Sequence, residues 1–274
     1  MSAVDGWREQ LAAWAIPSEI LEAAPESPYG FPSELFIARG ARASEDVVTA
    51  TTERALDALP DGGRVLDVGC GGGATSLPLA GRAGVLIGVD AQEDMLEGFR
   101  ANARAAGADV ETIHGRWPDV ADEVSAVDVS VGGHVLYNVS DLEPFVRALQ
   151  GATGRRVVFE LTARHPLHWM NDLWQRFHGV ERPTGPTADD AVEAIGELGL
   201  DPRHERWSTP PRSGGFVRRK DSVALIRRRL CLPADRDGEL VDALGPRLAL
   251  RDGLWSAGSA DQELVTVWFD VLSA

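Results

Sequence analysis

The chain has 274 residues, 44% hydrophobic and 25% charged, the balance of an ordinary globular protein and not of a disordered or fibrous one. Its net charge of −15 at pH 7 argues against a surface that tracks a nucleic-acid backbone. Two cysteines make no disulfide framework or metal pattern, and no apolar run reaches the roughly 18 residues that span a bilayer. The polar, acidic start MSAVDGWREQ is not a signal peptide, so the expectation is a cytoplasmic protein with neither a nucleic-acid nor a membrane partner.

Along the chain, Trp7, Leu11 and Trp14 recur at helical spacing and predict an amphipathic helix over 4–16, stopped by Pro17. The proline-rich stretch 24–34 reads as extended and irregular, and 43–58 as a helix leading to the Asp61-Gly62-Gly63 turn. From there strands and helices alternate as in a parallel α/β sheet. Strands are predicted at 64–68, 85–90, 110–114, 127–131 and 156–161. The helices between them are expected through Ser76–Ala80, across Met95 and Phe99 to Gly107, and from Ser140, where Glu143 three residues on suggests a capping box.

After the fifth strand the rhythm breaks. Residues 162–186 carry three histidines and two tryptophans, and Trp169, Leu173, Trp174 and Phe177 fall at the spacing of a helix that would cover the sheet edge. A helix follows from Thr187 to Gly199, then a sixth strand at 203–207 and a last one at 263–269. An insertion at about 208–260 holds helices from Asp221 and over 239–244. Arg227-Arg228-Arg229 reads as the solvated, dipole-favoured end of the first of these.

The stretch VLDVGCGGGA (65–74) carries the chemistry. A strand running into a glycine loop and a helix delivers backbone to a ligand at the carboxyl edge of a sheet. Gly69, Gly71 and Ala74 satisfy the dinucleotide fingerprint G-x-G-x-x-[GA], while Asp67, Gly69, Gly71 and Gly73 satisfy the tighter D-x-G-x-G-x-G. Asp90 ends the second strand, where a carboxylate accepts both ribose hydroxyls; Ala91 and Gln92 continue the same loop. These residues indicate a nucleoside without choosing it. Asp67 does choose, because an acid there suits an ammonium group and stands where dinucleotide folds place an apolar residue.

With this loop, GVD at 88–90 and HVLYNVSDLEPF at 134–145, the chain resembles the class I S-adenosylmethionine-dependent methyltransferases over about residues 60–210 plus the last strand. The resemblance implies an α/β, Rossmann-like, seven-stranded and mostly parallel sheet of order 3-2-1-4-5-7-6, with helices on both faces and the seventh strand antiparallel. The expected organisation is an N-terminal helical lid over 1–60 and a cofactor-binding domain over 61–274. The expected cofactor is S-adenosyl-L-methionine, leaving as S-adenosyl-L-homocysteine, held by Asp67, Gly69, Gly71, Gly73, Asp90, Ala91, Gln92, Arg116, Trp117 and His134.

Arg116 stands where the family commonly has the acid of its adenine site, so Trp117 is read as stacking on the adenine, with Asp119 beside it and plain core as the alternative. The chain lacks the [DN]-P-P-[FY] and Pro-Cys signatures of nucleic-acid methylation, and a small-molecule acceptor follows. Methyl transfer is an in-line displacement, and an oxygen acceptor benefits from a base; His134, His165 and His168 are the catalytic candidates, with Glu160 beside them. No metal ligand set is expected, a homodimer is left open, and Tyr29 and Phe31 are candidate lid residues. The alternatives are a nicotinamide-dependent oxidoreductase and a cofactor-binding module without turnover.

Overall fold

The computed structural model describes residues 2–30, 32–43, 48–209, 215–258 and 262–271. In chain order the elements are α1 (Ala3–Ala12), α2 (Ser18–Ala23), α3 (Ser33–Ala43), α4 (Ala50–Leu56), β1 (Gly63–Val68), β2 (Ala83–Asp90), α5 (Glu93–Ala105) and β3 (Asp109–His114). They continue with β4 (Val127–Gly133), α6 (Leu142–Ala152), β5 (Thr153–Thr162), α7 (Asn171–His178), α8 (Ala188–Glu197) and β6 (Arg203–Thr209). The last are α9 (Arg219–Arg229), α10 (Asp237–Leu244), β7 (Leu248–Arg251), β8 (Leu254–Ala257) and β9 (Gln262–Asp270).

The main sheet has the order β3-β2-β1-β4-β5-β9-β6, which is the expected order with β9 as the seventh strand. β1 to β5 pair in parallel, and β9 runs antiparallel to both β5 and β6. Both faces are covered, which is why the inner strands read as near-continuous apolar runs. Leu66, Val68, Val157 and Phe159 face α6 and α8, while Val65, Val129, Val131 and Val158 face the opposite side with Leu96 and Phe99 of α5. Each such buried side chain contributes about 1.5–3 kcal/mol of burial, so the strand cores are well determined.

A third core lies outside the sheet. Leu173 and Trp174 of α7 pack with Val223 and Ile226 of α9 and with Leu240 and Leu244 of α10. Ile16, Ile20 and Ala24 from the N-terminal segment join them. The helix inserted after β5 and the late insertion therefore form one small lobe, and the β7–β8 hairpin, which has no strong sequence signal, belongs to the same stretch.

Several sequence expectations need correction. α1 stops at Ala12 and not at residue 16, because Trp14 leaves the helix to donate from Nε1 to the Gly185 carbonyl at 2.5 Å and to stack on His165. The helix over 43–58 is shorter, with Thr49 capping α4, and residues 44–47 lie outside the described ones. The irregular segment 24–34 ends at α3, a helix the proline content concealed. Over Ser76–Ala80 there is one turn of 3-10 helix, Leu77–Leu79, with Pro78 in its first turn. The capping box is absent from Ser140 and Glu143, where Asp141 precedes α6 with no side-chain cap; one forms instead at Thr187 and Asp190.

The arginine triplet is also not a solvated helix end. Arg227 is only 15% exposed, paired with Glu26 at 3.1 Å and Asp237 at 3.3 Å. Arg229 donates to the carbonyls of Pro28 at 3.0 Å and Gly30 at 2.8 Å, and Arg228 also reaches Gly30. The three side chains hold the proline-rich segment 26–30 against the inserted lobe. Arginine suits this, because its rigid fork of donors satisfies carbonyls that a strand or helix would otherwise pair.

Candidate functional site

β1 carries the chain out of the sheet into the glycine loop, and the backbone there is shaped by necessity. Gly69 and Gly71 have φ of +64° and +49°, a region that costs other residues a Cβ clash. The loop is tied to the end of β2 by Gly69 and Cys70 N–H groups donating to the Val89 carbonyl at 2.8 and 3.1 Å. Gly71 N–H donates to Asp90 Oδ2 at 3.0 Å, and Gln92 N–H to Oδ1 at 3.0 Å. Each Asp90 oxygen thus keeps acceptor capacity for a further donor.

Gly72, which no fingerprint uses, is a seat for α3. A Cβ at Gly72 would overlap the Phe36 carbonyl oxygen and stand 2.6 Å from the Ile37 Cα. A Cβ at Gly40 would in turn overlap the Gly72 carbonyl, and one at Gly98 of α5 would come 2.6 Å from Ile37 Cδ1. Asn102 Nδ2 binds the Ile37 and Gly72 carbonyls, both at 2.9 Å. Backbone therefore lies directly on backbone, which only glycine permits. Gly72→Ala is expected to unseat α3 and lower the melting temperature by several degrees, with trypsin cutting earlier at Arg39 and Arg42; unchanged melting and digestion would count against this seat.

Asp67 lies within β1, paired in register with Gly88 of β2 and Val131 of β4, and is 1% exposed. Ser76 Oγ–H donates to its Oδ2 at 2.6 Å, while Oδ1 is buried with no donor among the described residues. Burial pushes its carboxyl up to about 7; the Ser76 hydroxyl pulls it down, Asp90 pushes it further up, and the Ser76 backbone lowers it by less. Burial also pushes the neighbouring Cys70 thiol up, keeping it neutral.

His134 follows β4 directly, in the left-handed region at φ 56°, its N–H donating to the Glu160 carbonyl at 2.7 Å. Its Nε2 stands 3.6 Å from Glu160 Oε1; the imidazole is 40% exposed and the glutamate side chain 4%. The adjacent strand end reaches the cofactor loop, since a Cβ at Gly69 would lie 2.9 Å from Val135 Cγ2. Asp67, the glycines, Asp90 and His134 thus collect along one edge of the sheet.

The other two histidines lie elsewhere. His165 is buried, stacked on Trp14 at 3.8 Å and edge-on to Tyr137 at 5.2 Å, and burial pushes it down to about 3. That ring is packed and neutral, and too weakly basic to take a proton at neutral pH. His168 Nε2 lies 3.4 Å from an Arg164 nitrogen, and burial and that cation lower its pKa. Trp117 is 9% exposed in the core beside α6, its Nε1–H on the Phe145 carbonyl at 3.1 Å, while Arg116 and Asp119 are exposed. Gly115 N–H donates to the Asp90 carbonyl at 3.0 Å and His114 Nε2 lies 3.1 Å from the Ala91 carbonyl, so this loop borders the Asp90 corner. Tyr29 is exposed and Phe31 lies outside the described residues. Among the described residues no cluster of His, Cys, Asp and Glu suits a metal ion, and no helix is long and apolar enough to cross a membrane.

A parallel sheet of this order, with a glycine loop after β1 and a carboxylate closing β2, defines a nucleoside-binding α/β protein. Residues 65–153 match a family described as a methyltransferase domain. The ubiquinone biosynthesis O-methyltransferase of Brucella anthropi is 32% identical over 168 residues, covering 54% of this chain and 68% of that one. The enzyme of the same description from Rhizobium rhizogenes is 26% identical over 168 residues, again covering 54% and 68%. With other curated relatives of that description the match spans 33–38% of their length. In three dimensions the YcgJ protein of Bacillus subtilis shares the fold, with a TM-score of 0.52 at 18% identity over 82% of this chain and 98% of that one.

The chain belongs to the class I S-adenosylmethionine-dependent methyltransferases, and S-adenosylmethionine is its cofactor. The dinucleotide reading of the glycines is thereby set aside. The residues present fit the cofactor: the orphaned buried Oδ1 of Asp67 suits an ammonium donor, and Asp90 has acceptor capacity for ribose hydroxyls.

Proposed function

We propose that the protein transfers a methyl group in line to an oxygen or nitrogen atom of a small-molecule acceptor. The observation that carries this reading is the His134–Glu160 pair at the sheet edge beside the cofactor loop, where a histidine near neutral pH is suited to take a hydroxyl proton. The O-methyltransferase relatives and the acidic net charge of −15 support it. When bound, S-adenosylmethionine supplies a methyl group on a sulfonium, and its leaving thioether needs no acid.

The chain supplies the rest of the proposed mechanism. Asp67 holds the ammonium of the cofactor's amino-acid end, Asp90 the ribose, and Gly69, Gly71 and Gly73 bring backbone close, with Ala91 and Gln92 alongside. The 115–119 loop, including Arg116 and Trp117, borders the adenine side, which its ties to Asp90 and Ala91 support. His134 takes the acceptor proton; His165 and His168 shape the surroundings of the post-β5 segment. Residues 1–60 form the lid together with the inserted lobe, supported by the seat of α3 on Gly72 and the arginine grip on segment 26–30. The buried free thiols of Cys70 and Cys231 fit a reducing compartment, and the proposal places the protein in the cytoplasm.

The test is release of S-adenosylhomocysteine on incubation with S-adenosylmethionine and a panel of catechols, phenols, carboxylates and amines, followed by mass spectrometry of the acceptor. A gain of one methyl group on a hydroxyl or amine is the expected result. Turnover confined to a macromolecular acceptor would refute the small-molecule reading.

A further inference from the structure

The two oxygens of Asp67 are in different situations. Oδ2 accepts a hydrogen bond from Ser76, while Oδ1 has no donor among the described residues although it is buried. Ser76 is 0% exposed, and its hydroxyl is turned onto the carboxylate at 2.6 Å. Its backbone is fixed as well, because Leu77 N–H donates to the Gly73 carbonyl at 2.9 Å and Leu79 N–H to the Ser76 carbonyl at 2.9 Å. No fingerprint includes Ser76, yet the loop returns it onto the motif's acid, nine residues later in the chain.

We propose that Ser76 is a positioning residue for cofactor capture: by donating to Asp67 Oδ2 it fixes the carboxylate and reserves Oδ1 for the ammonium group at the amino-acid end of the cofactor. This rests on the cofactor assignment above and goes beyond it, since it makes capture depend on a group that does not touch the ligand. A buried acceptor with no donor is unfavourable, so an incoming N–H donor finds a group already in need of one.

The charge state of Asp67 turns the same geometry into a pH dependence. With its carboxyl up to about 7 through burial, with Ser76 lowering it and Asp90 raising it, a substantial fraction is neutral acid near pH 7. The other titratable groups nearby are Cys70 in the loop, Asp90 at the end of β2 and, further along the edge, the His134–Glu160 pair. An ammonium brings a positive charge and donors only, so it pairs with the carboxylate and not with the acid. Capture by the acid form is therefore Asp67–COOH plus R–NH3+ giving the Asp67–COO−/R–NH3+ pair plus one proton released to solvent. Removing the Ser76 hydroxyl takes away a bond that favours the carboxylate, so the pH needed for capture rises.

Calorimetric titration of the full chain with S-adenosylhomocysteine from pH 6 to 9, in buffers of different ionisation enthalpy, tests this. Wild type is expected to bind more weakly below pH 7 and to release a fraction of a proton there. Ser76→Ala is expected to lose about 10-fold in affinity at pH 7.5, to shift its pH midpoint upward and to regain part of the loss at pH 9. Ser76→Thr, which keeps the hydroxyl, is expected to stay within about 3-fold of wild type, and Asp67→Asn to release no proton with whatever affinity survives. Circular dichroism confirms folding of each variant. Ser76→Ala with wild-type affinity and pH profile overturns the inference alone. No S-adenosylhomocysteine binding by wild type at any pH overturns the cofactor assignment and the inference with it.

Discussion

Asp67→Asn is expected to weaken S-adenosylhomocysteine binding by about 100-fold or more while raising the melting temperature of the cofactor-free protein at pH 8. The two effects have one cause. The carboxyl is 1% exposed and pushed up to about 7, chiefly by burial, whereas an unfolded aspartate titrates near 4. Between those values the folded chain holds a proton that the unfolded chain has lost. Stability from this group is therefore highest below pH 4, falls as pH rises toward 7, and is fully lost by pH 8, an effect on the order of 2–4 kcal/mol. Asparagine never ionises and still accepts from Ser76, so the melting difference should be smallest below pH 4, grow as pH rises toward 7 and reach several degrees in the variant's favour at pH 8. Facing the ligand, its amide puts N–H donors where the proposal sets Oδ1 against an ammonium, and affinity is expected to collapse. A variant that melts below wild type at pH 8, or binds normally, would contradict this account. The acid is thus a cost to the fold that function requires, as expected where a site is built to pair with a ligand's charge.

The same contrast explains what could be read in the sequence. Strands β1, β2, β4 and β5 are legible because they are buried on both faces, so their apolar runs follow from packing alone, whereas the partly exposed edge strand β3 is read from its place in the alternation. The loop is legible because Gly69 and Gly71 need positive φ, and Asp67 because an acid inside an apolar strand is expensive without a purpose. Ser76 was hidden because its role is a contact closed by the loop, and a serine near a helix start carries its own local explanation as a cap. Gly72 was hidden among glycines with clearer duties, and its neighbour α3 behind a proline-rich stretch. The arginine triplet was misread because consecutive charges usually point into water, whereas here Pro28 and Gly30 expose carbonyls that need donors. His165 and His134 are the same residue type with opposite surroundings, one stacked under Trp14 and the other 40% exposed at the sheet edge, and sequence pattern does not separate them.

His134→Ala is expected to lower turnover of an oxygen acceptor by about 10²- to 10⁴-fold while changing S-adenosylhomocysteine affinity by less than about 3-fold. The geometry points to His134 in three ways. It follows β4 directly, where a Cβ added at Gly69 would come 2.9 Å from Val135 Cγ2, so it borders the cofactor loop. Its side chain is 40% exposed and thus within reach of an acceptor, whereas the Glu160 side chain is 4% exposed. Its φ of 56° is a strained conformation for a residue with a Cβ, about 1–3 kcal/mol, held by the 2.7 Å bond from its N–H to the Glu160 carbonyl. Glu160 thus fixes the residue through its backbone and faces the imidazole with its carboxylate. Glu160→Gln keeps the size and removes the charge, and a loss of about 10-fold in turnover is expected. The competing role for His134 is packing against the cofactor, and it predicts the reverse split. Affinity for S-adenosylhomocysteine would then fall with turnover at saturation intact. A nitrogen acceptor adds a further distinction: a neutral amine attacks without a base, so turnover would show little sensitivity to His134, and acceptor chemistry and residue role can be read from one pair of variants.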